Sequence, residues 1–356
     1  MRALPFGARN AVFVFGSIAR ALELILLRLF DIVNGQYVDD YICFELAGLV
    51  DQEEDTMVQV LELLGWQVKK VEGMVPEFAD IFHLLGVRFD LRRAEVGELV
   101  IDNKPERAQK ICQDIERILE AGRVSPQEVE VLRGSLNFTR AQCFGRCGGA
   151  ALNFLSTVVR AGGVQLDEVA RLHLAYWPRF FAVAKPRIIR FADRRPPIIL
   201  HTDGAEEPDG VGVGAVIEDR WTGLKEYWGG MIRSSLVDEW KKKSGKTRVI
   251  HQAETYPALL AIKIWRKELH GRRVILFVDN DAAKEAIVKG VSGSVPSAEI
   301  VTALWEEAAA NSMYLWVDRV PSAANVADGP SRGDNEDLEK EGFAKVLVRV
   351  PELREI

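Results

Sequence analysis

Residues 198–219 read IILHTDGAEEPDGVGVGAVIED and decide the fold of the second half of the chain. Their apolar residues recur with a period of two, which predicts β-strands joined by a turn, and LKEYWGGMI at 224–232 continues as a third strand. Further on, the strand patterns VILFVD and MYLWVDRV alternate with helical patterns at 252–269, 281–289 and 297–310. Antiparallel strands followed by alternating strands and helices predict a mixed five-stranded sheet with flanking helices, an α/β (α+β) fold.

Four acidic residues lie at the edges of different predicted elements in this half: Asp203, Glu254, Asp279 and Asp328. We expect Asp203 and Asp279 at strand ends, Glu254 in the first turn of a helix, and Asp328 at the start of the last helix. Carboxylates gathered in one place repel one another unless divalent cations hold them. Two magnesium ions held in this way can cleave a phosphodiester. Asp281 is expected to cap the following helix, with a ligand role as the alternative.

The first half of the chain has a different pattern. An apolar stripe of helical period runs through residues 8–33, and charged residues within it argue against a membrane span. YVDD, Tyr37 to Asp40, follows as the tip of a hairpin that presents adjacent carboxylates. From Lys104 the pattern is helical, and KPRIIRFADRRPP at 185–197 is typical of a basic, proline-rich linker.

Composition sets broad limits on function. The content of 48% hydrophobic and 28% charged residues is ordinary for a globular protein, and a net charge of -6 argues against a generally basic nucleic-acid coat. The 4 cysteines show no zinc spacing and indicate reduced thiols. Basic residues nevertheless form two local clusters that could bind phosphate: Lys185, Arg187, Arg190, Arg194 and Arg195, and then Lys241, Lys242, Lys243, Lys246 and Arg248. The second cluster is predicted to be a solvated loop. His201 and His251 are expected to be surface or packing residues.

The segments around the four acids resemble the ribonuclease H family of retroelements. HTDGA, ETYPALLAIKIW, LFVDNDAA and NVADGPSR are similar to its four motifs in order, over roughly 197–332. The resemblance implies a ribonuclease H-like fold, two Mg²⁺ ions (with Mn²⁺ as the alternative), and Asp203, Glu254, Asp279 and Asp328 as catalytic metal ligands. Asn280, Asn325 and Arg319 are the substrate-binding residues that it implies. Arg319 stands where many family members have a histidine, which puts the turnover rate in question.

The first half resembles reverse transcriptases. YVDD is similar to their YxDD box, and LPFGARNAVFVF is similar to their template-contacting segment, so Asp39 and Asp40 become polymerase residues and Pro5, Phe6 and Gly7 substrate-binding residues. LGWQVKKVEG, FHLLGVRFDL, RGSLNF and GRCGG resemble later segments, and the overall likeness is to polyproteins of DIRS-like retrotransposons. The fingers and the first palm strand, with its further aspartate, have no counterpart. We therefore expect no polymerisation by this chain alone.

The expected domains follow from both resemblances. They are a partial palm at 1–100, a helical thumb and connection at 101–184, the linker at 185–197, a ribonuclease H-like domain at 198–333, and an acidic, solvated tail at 334–356. The implied activity is magnesium-dependent cleavage of the RNA strand in an RNA:DNA hybrid, read through ribose 2′-hydroxyls. Two alternatives stay open: a catalytically decayed nucleic-acid-binding remnant, and a structure-selective DNA nuclease. The implied partners are the hybrid and a single-stranded template, without a membrane, in the cytoplasm or the nucleus.

Overall fold

A computed structural model of the chain describes residues 10–38, 40–66, 78–143, 145–160, 162, 164–208 and 210–348. The chain divides into two compact units, Met1–Ala79 and Asp80–Ile356. None of the helices in the described ranges has the length and apolarity that crossing a membrane requires. Four residues with predicted roles lie outside the described residues: Pro5, Phe6, Gly7 and Asp39.

The first unit is a small helix and hairpin arrangement. Its elements are helix α1 (Ala11–Phe30), strands β1 (Val33–Tyr37) and β2 (Asp40–Phe44), and helix α2 (Val50–Leu63). The two strands form an antiparallel hairpin in which Tyr37 pairs with Asp40, so the hairpin predicted for YVDD is present. The core comes from the predicted apolar stripe, because Leu22 and Leu26 of α1 pack against Val60 and Leu61 of α2.

The second unit begins with a sheet and a helical bundle. The elements are β3 (Ile81–Leu84), β4 (Val87–Asp90), β5 (Glu98–Asn103), α3 (Pro105–Ala121), β6 (Arg123–Val124), α4 (Pro126–Cys143), α5 (Gly149–Arg160), β7 (Val164–Gln165), α6 (Glu168–Val183) and β8 (Arg187–Arg190). β3, β4, β5 and β8 form one sheet. Helix α3 ends at Gly122, and α4 begins with a reciprocal cap in which Ser125 and Glu128 bond to each other, as the sequence indicates.

Two expected boundaries need correction here. The segment 185–197 is not a free linker, since Arg187–Arg190 forms β8 and pairs antiparallel with β5 from Glu98 to Ile101. Residues 80–100 belong to the same sheet and therefore to the second unit rather than with the hairpin. The proline content of 185–197 suggested an irregular segment, but Ile188 and Ile189 give it enough apolar character to complete a sheet edge.

The rest of the second unit contains the predicted mixed sheet. Its elements are β9 (Ile198–Glu207), β10 (Gly210–Asp219), β11 (Leu224–Met231), α7 (Ser234–Ser244), α8 (Ile250–Ile264), β12 (Arg273–Val278), α9 (Asp281–Lys289), α10 (Val295–Ala310), β13 (Tyr314–Arg319), α11 (Asp328–Arg332), α12 (Glu336–Lys340) and β14 (Ala344–Lys345). The strand order is β13-β12-β9-β10-β11-β14. β9, β10 and β11 run antiparallel, whereas β12 and β13 run parallel to β9. The α/β class with a mixed sheet and flanking helices is confirmed.

Three local predictions for this region are wrong. The basic insertion is helix α7 rather than a loop, because Val237 and Trp240 give it a buried side. The sheet gains a sixth strand among the described residues, β14, which pairs with Glu226 and Tyr227 of β11. The tail is not simply solvated, since α12 buries Leu338 and the Tyr227 hydroxyl donates to Glu339 at 2.6 Å.

The GRCGG segment explains how the helical bundle packs against the mixed sheet. A Cβ built on Gly149 would lie 1.8 Å from the carbonyl oxygen of Gly290, at the end of α9. Only a residue without a side chain allows two backbones to approach this closely. Beside this contact, Cys147 is buried and its thiol lies 3.3 Å from the Trp305 carbonyl oxygen of α10.

Candidate metal centre

Two parallel strands bring Asp203 and Asp279 together. β9 and β12 are in register from Ile198 with Val274 to His201 with Phe277, so Asp279 follows β12 at the level of Asp203. The prediction for Asp279 holds, since β12 ends at Val278. The prediction for Asp203 as a strand end is wrong, because it is an internal residue of β9 and pairs with Gly214 of β10. Strand β9 continues past the end of β12, and the carboxylates meet at that step.

Glu254 reaches the same place from helix α8. It is the fifth residue of the helix, one turn later than predicted. Strand β9 approaches α8 closely at Gly204, where a Cβ would lie 2.0 Å from the carbonyl oxygen of Ala253. Pro257 has no N–H to donate to that carbonyl, which lies one turn earlier in the helix. The strand therefore packs against the turn of the helix that carries Glu254.

The three carboxylates form a compact group. One oxygen each of Asp203, Glu254 and Asp279 can be chosen so that all lie within 4.8 Å of one another. Asp203 is 3% exposed and Glu254 is 8% exposed, so water screens their repulsion weakly. Oε2 of Glu254 and Oδ1 of Asp279 are buried and have no hydrogen-bond partner in the described part of the chain. Carboxylate oxygens collected from three elements, two of them buried without a donor, match the oxygen ligands that a divalent cation prefers.

The protonation state of Glu254 reflects this crowding. Burial, followed by the charges of Asp203 and Asp279, raises its pKa to about 8, although hydrogen bonds from Asn280 and the Gly204 amide act in the opposite direction. Burial also raises the pKa of Asp203, against a lowering effect of the Ser331 hydroxyl. A group of acids that resists ionisation in this way is stabilised when a cation binds.

Two neutral side chains hold the Asp203 carboxylate. The Ser331 hydroxyl donates to Oδ2 at 2.5 Å, and the Asn325 amide donates to Oδ1 and to the Thr202 carbonyl, both at 3.2 Å. Asn325 is 5% exposed. Its amide bonds to β9, and its role as a substrate-binding residue stays a prediction. Ser331 was missed, although it follows Asp328 by three residues within the NVADGPSR motif and so lies on the same side of α11.

The structure does not bring Asp328 into the group of three. Asp328 opens α11 as predicted, but its carboxylate accepts from Nε of Arg332 at 2.9 Å, one turn along the same helix. Arg332 also pairs with Glu207 at the end of β9. Asp328 remains near enough to raise the pKa of Asp203 through its charge. The fourth predicted ligand thus lies beside the group and is neutralised by an arginine that sequence reasoning did not identify.

Residues after β12 and β13 order the loop that carries Asp279. Asn280, not Asp281, caps α9, because its side-chain oxygen accepts from the Ala283 amide at 3.0 Å. Arg319 donates to the Asp279 carbonyl at 3.2 Å and lies 3.4 Å from Asp281. Asn280 and Arg319, both predicted as substrate-binding residues, thus lie beside the carboxylates and help to position them. His201 stacks on Phe277, as expected of a packing residue.

The glycines of GVGVGAV allow α11 to lie directly on the sheet. A Cβ on Gly214 would be 2.5 Å from the Ser331 nitrogen, and a Cβ on Gly212 would be 2.0 Å from the Ser331 oxygen. Gly229 of β11 meets Pro330 in the same way. The signal was present in the sequence, because glycine at every second position leaves one face of a strand without side chains. Because α11 lies against that face, the Ser331 hydroxyl is within hydrogen-bond distance of Asp203.

No protein-family model matches this sequence, and no curated protein matches it. Among solved structures, an RNase H1 from Halobacterium salinarum NRC-1 is 16% identical with a TM-score of 0.30, and the match covers 40% of this chain and 99% of that chain. An N-terminal RNase H domain from Mycobacterium tuberculosis, solved as a fusion with maltose-binding protein, is 13% identical with a TM-score of 0.27, over 41% of this chain and 97% of that one. A foamy viral protease-reverse transcriptase in complex with dsDNA is 13% identical with a TM-score of 0.43, and the match covers 89% of this chain and 60% of the viral one.

Proposed function

We propose that this chain is a retroelement-type, divalent-metal-dependent nuclease that cleaves the RNA strand of RNA:DNA hybrids. The observation that carries the proposal is the group of buried Asp203 and Glu254 with half-buried Asp279, which offer one oxygen each within 4.8 Å of one another. Two of these residues keep an oxygen without a donor, which a purely structural hydrogen-bond network would have supplied. The RNA:DNA hybrid is proposed as the substrate because the four sequence motifs around these residues resemble those of ribonuclease H.

The residues present fit Mg²⁺, because hard cations prefer carboxylate oxygens. Asp203, Glu254 and Asp279 would hold the ion, whereas Asp328 pairs with Arg332 and acts on Asp203 through its charge. Bound divalent cations supply acidification of the attacking water and neutralisation of charge at the scissile phosphate. The chain itself fixes the ligand geometry: Ser331 and Asn325 orient Asp203, and Arg319 and Asn280 order the segment that carries Asp279.

A cleavage assay tests the proposal. Purified chain is incubated with end-labelled RNA:DNA hybrid, RNA duplex or DNA duplex, in Mg²⁺, in Mn²⁺ or in chelator. We expect cutting of the hybrid's RNA strand only, with either metal, and its loss in Asp279→Asn. The matched control is Asp337→Asn, since Asp337 is an exposed carboxylate of α12 whose side chain is 97% accessible.

The other outcomes contradict the proposal in distinct ways. Hybrid binding without cutting in any metal would favour the decayed, nucleic-acid-binding alternative. Cutting of DNA duplex at a rate equal to or above that of the hybrid would favour a DNA nuclease. Activity that survives Asp279→Asn would place the chemistry elsewhere in the chain.

We also propose that this chain alone does not polymerise. In the described residues of the first unit, β1 and β2 pair only with each other, so no third strand brings a further carboxylate to the hairpin. Primer extension on an RNA template measures this. Incorporation of nucleotides that is lost in Asp40→Asn would overturn the proposal.

A further inference from the structure

A second candidate site lies on the outer edge of the mixed sheet, apart from the carboxylate group. A groove of about 640 Å³ opens between strand β13, helix α10 and the segment around β8. Grooves of this size accommodate small molecules or a few nucleotide units. Its charged lining residues are all basic, and its most prominent aromatic residues lie on β13. These residues are Arg146, Lys185, Arg187, Arg273, Tyr314 and Trp316.

The positive charge of this groove is offset only in part, by the charge of Asp193 beside Arg273. In the described ranges, none of the four basic residues lies within ion-pair distance of a carboxylate, and all four are exposed. Arg273 donates to the backbone carbonyls of Asp193 and Arg195, which leaves its charge in place. A neighbouring cavity of about 450 Å³ shares Lys185 with the groove and is also lined by Glu306 and Glu307, which do not line the groove. The groove thus carries net positive charge on a chain whose net charge is -6.

Two aromatic residues lie on one face of β13, and one of them is largely exposed. Trp316 is 66% exposed on β13, which is an edge strand of its sheet. An exposed indole on an edge strand offers a ring surface to a ligand. Two residues away on the same face, Tyr314 lies under the guanidinium group of Arg187, with 6.0 Å between the arginine and the ring centre. Aromatic faces alternating with cations are the features that bind bases and phosphates of single strands.

We propose that this basic and aromatic groove binds single-stranded nucleic acid, with a base stacked on Trp316 and phosphates paired with Arg187, Lys185, Arg146 and Arg273. Duplexes hide their base faces, so they cannot stack on the exposed indole. The groove also shares a strand with the metal centre: Arg319, three residues after Trp316 and therefore ~10 Å away, bonds to the Asp279 carbonyl. A single strand leaving the carboxylate group would reach the groove. This connection rests on the proposed function, whereas the charge and the aromatic residues of the groove are independent of it.

Fluorescence anisotropy of the full chain tests the proposal in chelator, so that no cleavage can occur. The probes are fluorescein-labelled oligo(dT) and oligo(U) of about 12 nucleotides, with blunt RNA:DNA hybrid and DNA duplex of the same length as comparisons. We expect Trp316→Ala to weaken single-strand binding by about tenfold, since one stacking platform is lost. Trp316→Phe should retain most of the affinity. Trp221→Ala is the matched control, because Trp221 is 63% exposed on the β10–β11 turn and should leave binding unchanged.

Charge variants separate stacking from general attraction. Arg187→Gln should weaken single-strand binding and reduce its dependence on salt concentration. Arg220→Gln, an exposed arginine beside Trp221, should change neither. The proposal is overturned if Trp316→Ala binds like the wild type, if Trp221→Ala loses as much affinity, or if an oligoglutamate peptide displaces the oligonucleotides at equal charge. Asp279→Asn should bind the oligonucleotides normally, so failure of cleavage and failure of this groove are distinguishable.

Discussion

At the scale of single residues, Asp203 shows how a carboxylate is kept in place beside two others. Its oxygens accept from Ser331 and Asn325, whereas Glu254 and Asp279 each keep an oxygen without a donor. Neutral donors orient a carboxylate without removing its charge, which leaves the charge for a cation. The Ser331 hydroxyl is therefore a positioning group, and the consequence can be measured.

We expect Ser331→Ala to lower Mg²⁺ affinity and hybrid cleavage by ~10- to 100-fold, the usual effect of removing a partner that orients a metal ligand. Removing the hydroxyl also raises the pKa of Asp203 further, because that hydrogen bond lowers it. Isothermal titration with Mg²⁺ and a cleavage rate measure the two effects. Ser156→Ala is the control, since its hydroxyl donates to Leu152 within α5. Equal activity of wild type and Ser331→Ala would mean that Asp203 needs no support.

Glu254 predicts a pH dependence of stability in the metal-free protein. Its pKa is raised from 4.5 to about 8 by burial and by Asp203 and Asp279. Below the pKa that Glu254 has in the unfolded chain, the residue is protonated in both the folded and the unfolded state. As the pH rises towards 8, Glu254 ionises first in the unfolded state, so the stability of the folded protein falls. The loss levels off above the pKa of Glu254 in the folded protein. Thermal melts in chelator from pH 5 to 9 should show this fall in the wild type and a smaller one in Glu254→Gln.

Two additions make that experiment specific. Glu268→Gln removes an exposed carboxylate beyond the end of the same helix and should follow the wild type. Mg²⁺ should raise the melting temperature of the wild type most at high pH, where the proton no longer competes for Glu254. Parallel pH profiles of wild type and Glu254→Gln would show that Glu254 does not carry the shifted pKa.

The sequence allowed the acidic residues to be identified but not their separate roles. Asp203, Glu254 and Asp279 could be predicted because each stands where a strand or helix pattern meets a polar residue. The pairing of Asp328 with Arg332 could not, because an i,i+4 ion pair depends on rotamers that spacing leaves open. The burial of Asn325 against β9 could not be predicted either, because exposure cannot be judged from a loop sequence.

At the scale of elements, the alternating glycines of β10 fix the distance between the sheet and α11. We expect Gly214→Ala to displace α11, since its Cβ would lie 2.5 Å from Ser331 nitrogen and 2.6 Å from Ala327 oxygen. The displacement should reduce cleavage more than it reduces stability, because it moves the Ser331 hydroxyl away from Asp203. Cleavage rates and thermal melts check this against Gly134→Ala, whose Cβ would meet nothing within 4 Å. A variant that keeps full activity would show that α11 can shift without consequence.

A buried ion pair predicts a stability effect at the opposite end of the sheet. Arg272 donates twice to Asp219, at 2.8 and 3.1 Å, and once to the Pro196 carbonyl, and both side chains of the pair are at most 5% exposed. Arg272→Met leaves Asp219 buried without a partner and should cost ~3–5 kcal/mol in the free energy of unfolding. Urea denaturation measures it, with the exposed Arg220→Met expected to change little. A loss below about 1 kcal/mol would contradict the buried pairing.

Element types were more predictable than element partners. Period-two and helical patterns located β9 to β13 and α8 to α10, since burial on one face imposes the periodicity. The pairing of β8 with β5 was not predictable, because nearly 90 residues separate the strands and the pattern of one strand does not name its partner. Helix α7 was hidden by its lysines, although Val237 and Trp240 lie three residues apart as a short buried stripe requires.

At the scale of the whole molecule, the part of the chain that packs on the mixed sheet extends beyond residue 333. The expected tail crosses the edge of the sheet: α12 buries Leu338, β14 pairs with β11, and the indole N–H of Trp228 donates to the Val348 carbonyl at 3.2 Å. The sequence did not predict this packing, because the apolar residues that pack, Leu338 and Phe343, stand among charged residues.

Removing residues 334–356 should therefore destabilise the protein rather than trim a solvated tail. The truncated chain exposes Tyr227 and Trp228, now 0% and 2% exposed, and loses the burial of Leu338, which alone is worth about 2 kcal/mol. We expect a lower melting temperature, by roughly 5–10 °C, with weaker hybrid cleavage at 37 °C. The comparison is a chain ending at residue 348, which keeps every described contact of the tail and should melt like the full chain. Identical melting of the chains that end at 333 and 348 would mean that the contacts of α12 and β14 contribute nothing to stability.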